Sequence, residues 1–210
     1  MREGKETTAS WLISQRAGEN LMNEKVVTEL LVKYLFSQPA TNVYAVLDSA
    51  SVEQMPQLLW EHEPENICLY RGELEPDMVA VAPYLVKLEY DHPFTKLVCE
   101  KGWGNHWGIF AITSAEVNIR DMRKHFRRFL MVYSPENKLI YFRYYDPRVL
   151  RVYFPTCNAD EIKIVLGPVG SYIMEDEDSS VLRFWFDDGK LQKQKIPPAE
   201  LQRISQIKVL

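Results

Sequence analysis

The chain is short of the residues and patterns that commonly announce a chemistry. Its three cysteines, Cys68, Cys99 and Cys157, form no CxxC pair. They read as reduced thiols of a cytoplasmic protein, not as a disulfide framework. The four histidines, His62, His92, His106 and His125, fall in no HExxH or HxxxH arrangement, and no cysteine stands at ligand spacing from one. They are expected to be solvent-facing or locally bonded, with no metal and no cofactor. GxSxG, P-loop and GxGxxG motifs are absent. No apolar run approaches the length of a membrane span, and Met1-Arg2-Glu3-Gly4-Lys5-Glu6 leads into no apolar stretch. Neither membrane insertion nor export by a signal peptide is therefore expected.

Charge of one sign is scarce as well. Lys and Arg number 25 against 29 Asp and Glu, a net charge of −4. That balance argues against a dedicated nucleic-acid binder, whose affinity rests on neutralising phosphates. Internal repeats and low-complexity segments are also missing.

What is present is a core. Apolar residues make up 46% of the 210 positions, and a chain of this length buries roughly 70% of the surface its unfolded form exposes. A helix is predicted from about Glu19 to Phe36, because Val26, Val27, Leu30, Leu31, Tyr34 and Leu35 recur at helical spacing. Val43 to Leu47 reads as a buried strand ending at Asp48. Ser51 and Gln54 have the spacing of a capping box for a helix to about Glu61. Strands follow at Ile67–Tyr70 and Tyr84–Leu88, a short helix at Phe94–Glu100, and a strand at Gly108–Ile112. Ser114 is placed to cap a helix to about Phe129. Leu130–Tyr133 and Leu139–Tyr145 form a hairpin whose second strand, apolar on both faces, is expected to be central in the sheet.

Asp146-Pro147 has the form of a helix start, and Asn158 with Glu161 that of another. Val181–Asp187, turned at Asp188-Gly189 into Lys190–Ile196, is a second hairpin. The fold class is α/β, or α+β: a mixed sheet flanked by helices, with a C-terminal β-hairpin. Residues 1–18 form a poorly patterned segment, 19–175 the main domain, and 176–210 a hairpin extension packed on it.

Several groups carry possible function. Gly102-Trp103-Gly104-Asn105-His106-Trp107-Gly108 lacks the Lys and Ser/Thr of a phosphate loop. Trp103 and Trp107 either roof the core or form an exposed aromatic surface for a protein partner. Arg120, Arg123, Lys124, Arg127 and Arg128 lie opposite an apolar stripe, as a solvated helix face does, with an acidic protein as the alternative partner. Glu175 to Asp178 reads as a solvated loop. Asp48, Arg143, Asp146 and Arg148 sit at strand ends, where they hold a corner by charge-assisted bonds. The alternative is a small hydrolase or transferase using Asp48 and Asp146 with His106 or His125.

An ordered series of landmarks adds to these readings. Tyr44-Ala45-Val46-Leu47-Asp48-Ser49-Ala50, Ala82-Pro83-Tyr84-Leu85-Val86, Trp107-Gly108-Ile109-Phe110 and Met122-Arg123-Lys124-His125-Phe126-Arg127 come first. Phe142-Arg143-Tyr144-Tyr145-Asp146-Pro147-Arg148-Val149-Leu150 and Leu166-Gly167-Pro168-Val169 follow. Over about Val43 to Glu175 the chain resembles the adaptor-chaperone family of bacterial type VI secretion, often called Tap or Tec. Where that family usually reads Phe-Phe-Gly-Pro, this chain has Val165-Leu166-Gly167-Pro168. The resemblance implies a cytoplasmic adaptor, not an enzyme, that binds an effector protein and helps load it onto the VgrG spike. Asp48, Pro83, Arg143, Asp146, Pro147, Arg148, Gly167 and Pro168 would then be motif residues that fix the fold.

Overall fold

The computed structural model describes residues 26–52, 54–134 and 136–206. Helix α1 covers 26–35 of these, so its expected start near Glu19 and the segment 1–18 lie outside the described residues. Strand β1 (Thr41–Asp48) then enters the middle of a seven-stranded sheet. With β2 (Asn66–Cys68), β3 (Pro83–Leu88), β4 (Gly108–Ser114), β7 (Val169–Glu175), β8 (Val181–Asp187) and β9 (Lys190–Ile196), the order is β2-β3-β1-β4-β7-β8-β9. Every pairing is antiparallel. The expected α/β class is present, a sheet with helices on both faces. Its alternation of strands and helices returns each strand antiparallel and makes no parallel crossovers.

Side chains of a strand point alternately to opposite faces, so a strand covered on both sides must be apolar throughout. β1 shows this: Val43 to Leu47 are all buried, and the strand ends at the buried acid Asp48. Val43, Ala45 and Leu47 join a cluster with Leu31 and Leu35 of α1, with Met55 and Leu59 of α2 (Met55–His62), and with Phe94 of α4 (Pro93–Leu97). Tyr44 and Val46 face the other way. They pack with Met122 and Phe126 of α5 (Ile119–Phe126), Leu150 of α6 (Pro147–Tyr153) and Ile162 of α7 (Ala159–Leu166). The C-terminal hairpin turns at Asp188 and Gly189, both at positive φ (47° and 75°), as a two-residue turn requires, and it extends the main sheet.

Four local expectations are corrected. Ser51 does not cap α2. Its hydroxyl donates to Asp48 Oδ2 at 3.0 Å within a 3-10 turn, Ser49–Ser51, and the Gln54 side chain makes no cap bond. Ser114 remains the last residue of β4, and Asn118 caps α5 instead, accepting from Arg120 N and Asp121 N. The second strand at Ile67–Tyr70 stops at Cys68.

The largest correction concerns the hairpin of β5 (Met131–Tyr133) and β6 (Leu139–Tyr141). It forms a two-stranded sheet of its own, outside the main sheet, and β6 is exposed throughout. The run apolar on both faces joins an exposed strand to a buried turn: past Tyr141 the chain bends, and Tyr144 and Tyr145 sink into the core. Periodicity does not foreshadow α3 (Pro76–Val81), β7 or α8 (Pro198–Gln206). The first is short, and Gly170 and Ser171 dilute the apolar run of the second.

Candidate functional site

The charged corner is assembled from two strand-to-helix junctions. Asp48 ends β1 fully buried, and its carboxylate accepts from Ala50 N at 3.1 Å, from the Ser51 hydroxyl and from the Arg143 guanidinium. Arg143 also reaches the Ser51 hydroxyl at 3.3 Å and lies 3.9 Å from Asp146. Asp146 is the N-cap of α6, accepting from Arg148 N at 2.9 Å, while the Arg148 guanidinium grips it with two further bonds of 3.0 and 2.7 Å. Pro147 takes the first helical position, where a missing N–H is harmless. Burial alone would raise the Asp146 pKa, but the Arg148 bonds and then the Arg143 charge outweigh it and hold the carboxyl below its ordinary value.

Both histidines of the hydrolase alternative are engaged elsewhere. The His125 ring is buried and its Nε2–H donates to Val165 O at 3.0 Å, because a carbonyl can only accept. The Tyr172 hydroxyl donates to the same oxygen at 2.8 Å. Burial is the main reason that the His125 pKa falls to about 4, so the ring is neutral near pH 7. His125 also sets the requirement for Gly167. A Cβ there would stand 2.5 Å from the imidazole Cε1, and Gly167 has φ +51°. Pro168 follows it into β7. The constellation of Asp48, Asp146 and a histidine is thus not brought together: the two acids are held by arginines and backbone, the histidines by other partners.

His106 belongs to a different assembly. Glu175, at the end of β7 and 3% exposed, accepts from Gly104 N, from His106 N at 3.0 Å, and contacts the His106 ring. The expected solvated loop is therefore corrected at its first residue, which is a buried anchor. Asp176 and Asp178 both meet Lys195 at 2.9 Å, and Glu177 meets Arg151 at 3.2 Å. The anchor fixes the loop that carries Trp103 and Trp107. Both are half-buried and packed on the core: the Trp103 ring lies 6.2 Å from Phe110, and its N–H donates to Ser179 O at 2.9 Å. Gly108 is required by close approach, since a Cβ would stand 2.0 Å from Val46 O.

The basic stripe is only partly solvated. Arg123 Nε donates to Cys68 O at 3.0 Å and Arg127 Nε to Leu69 O at 2.8 Å, with a second Arg127 bond to Tyr70 O. They clamp the chain as it leaves β2. Pro83 opens β3 opposite Asp48.

The exposed apolar side chains lie elsewhere. Tyr133 is 70% exposed, Tyr141 60%, and Leu139 and Ile140 are about half exposed, all on the β5–β6 hairpin. Trp60 of α2 is 78% exposed. Sequence reasoning missed this hairpin surface. The available signal was its brevity, three residues a side, immediately before a turn that had to reach the helix start at Asp146. A cleft of about 490 Å³ opens between the hairpin and the segment after β2, lined by Leu69, Tyr70, Arg71, Leu74, Met78, Arg127, Leu130, Met131 and Tyr141. Among the described residues, no cluster of His, Cys, Asp and Glu is arranged to hold a metal ion, and no helix is long and apolar enough to cross a membrane.

The molecule is thus of the class of three-layer proteins with an antiparallel central sheet, a charged corner serving structure, and an apolar hairpin left outside. The sequence profile of one family, described as Domain of unknown function (DUF4123), matches residues 43–163, and the chain belongs to that family. The matched stretch contains the charged corner and the hairpin, and ends inside α7 just before Gly167-Pro168. No curated protein and no solved structure matches the chain.

Proposed function

We propose that this chain is an adaptor chaperone that holds a type VI secretion effector in the cytoplasm of the producing cell and helps load it onto the VgrG spike. Two sequence facts support the reading: membership of the DUF4123 family over residues 43–163 and the ordered landmarks that resemble the Tap or Tec adaptors. The structural observation that carries it is the β5–β6 hairpin, which presents Tyr133, Leu139, Ile140 and Tyr141 outside the main sheet. Tyrosines of this kind concentrate binding energy at protein interfaces. The activity proposed is recognition, with the charged corner and the Glu175 anchor keeping the presenting surface in place.

The test is a tagged pull-down from the native cytoplasm of cells that make the secretion machine, with bound proteins identified by mass spectrometry. Recovery of a toxin-like protein together with VgrG is the expected result. A clean preparation containing neither overturns the adaptor reading. Replacing Trp103 and Trp107 together by Ala asks whether that loop takes part. Because both rings pack on the core, thermal stability is measured alongside, and unchanged cargo affinity removes the loop from the binding surface.

A further inference from the structure

We infer that the cleft between the β5–β6 hairpin and residues 69–78 takes an extended apolar segment of a partner protein, bearing a carboxylate that pairs with Arg71. The inference rests on the adaptor reading only for the partner's identity. The walls supply the apolar part. Tyr70 and Tyr141 meet with ring centroids 5.8 Å apart and join the hairpin to the facing segment, and Leu74 and Met78 continue that wall. Each strand of the hairpin also has one edge without a partner strand among the described residues, a template for main-chain pairing.

The charge of the occupant follows from what lines the cleft. Arg71 and Arg127 do, and no carboxylate does; Glu73, Glu75 and Asp77 are exposed outside it. Arg127 spends two bonds on carbonyl oxygens, which do not neutralise it. Arg123 and Arg128 stand on the same helix end, and among the described residues none of these four arginines forms an ion pair. Burial and then the charges of Arg123 and Arg71 lower the Arg127 pKa, as expected of a cationic cluster without its counter-charge. An acidic segment supplies that charge, whereas a second copy of this chain presents the same arginines.

The experiment selects short random peptides displayed on phage against the full-length chain, with Arg71→Glu and Tyr141→Ala as parallel targets. Circular dichroism and thermal melting establish that both variants fold. The expected winners combine Asp or Glu with Leu, Ile, Val or Phe, bind Arg71→Glu about tenfold more weakly, and protect residues 69–78 and 131–141 from amide exchange. No enrichment, basic winners, or winners indifferent to both variants would overturn the proposal. So would a dimer that Tyr141→Ala dissociates, or single-stranded RNA competing for the same arginines. Cargo recovered in the pull-down but bound equally by both variants sinks the cleft and leaves the adaptor standing. Acidic winners without any recovered cargo do the reverse.

Discussion

At the scale of single residues, Gly167 and Arg143 carry the sharpest demands. Gly167 combines a positive φ with contact on the buried His125 ring. An Ala there meets both backbone strain and overpacking, so Gly167→Ala is expected to lose roughly 1–3 kcal/mol in urea unfolding. Because the imidazole is the clash partner, the loss should shrink when His125→Ala is already present; strictly additive losses would show that strain alone acts. Arg143 is partly exposed, but its partner Asp48 is fully buried. Arg143→Ala leaves Asp48 with only the Ala50 N–H and the Ser51 hydroxyl, a loss of roughly 1–3 kcal/mol. Arg143→Lys should recover part of it, since the bonds to Asp48 and Ser51 both leave from one guanidinium nitrogen, Nη2, and an ammonium at that place offers the same donors. A variant of normal stability that had lost cargo binding would move Arg143 from a structural role to a direct one.

At the scale of elements, the helix starts that were legible were those whose caps are local. Asp146-Pro147 opens α6, and Asn158 with Glu161 closes a reciprocal capping box on α7, because both signals lie within four residues of sequence. Ser51 and Ser114 have the same local form and fail. Each was outbid by a nearby group, the buried Asp48 carboxylate in one case and Asn118, four residues further on, in the other. The charged corner was legible as a set of residues; the pairing of Asp48 with Arg143, 95 positions apart, was not. Glu175 was hidden for a related reason: an acid before Asp-Glu-Asp reads as solvated until the Gly104–His106 loop is folded over it. That loop is an element whose order depends on one side chain. Glu175→Ala should speed amide exchange at Gly104 and His106 and destabilise the fold by about 1–3 kcal/mol. Unchanged exchange at these two amides would mean that the packing of Trp103 and Trp107 holds the loop by itself.

At the scale of the whole molecule, the coupling of two helices through one neutral imidazole sets how stability responds to pH. His125 bridges α5 to the end of α7 through Val165 O, and its pKa falls from 6.5 in the unfolded chain to about 4 in the folded one. Below 6.5 the unfolded state takes up a proton that the folded state refuses, so stability must fall as pH falls across that window. The full separation corresponds to at most about 3 kcal/mol. Asp146 acts in the same direction but later: its folded pKa lies below the usual 3.8, so its contribution is lost only as pH drops through the more acidic range. The two are separable by substitution. His125→Gln keeps a donor for Val165 O without a titrating group, and its urea midpoint should stay nearly level from pH 6.5 to about 4 while that of the native chain declines. Parallel declines in both proteins would show that the ring titrates alike in the folded and the unfolded chain, and that His125 does not set the pH response.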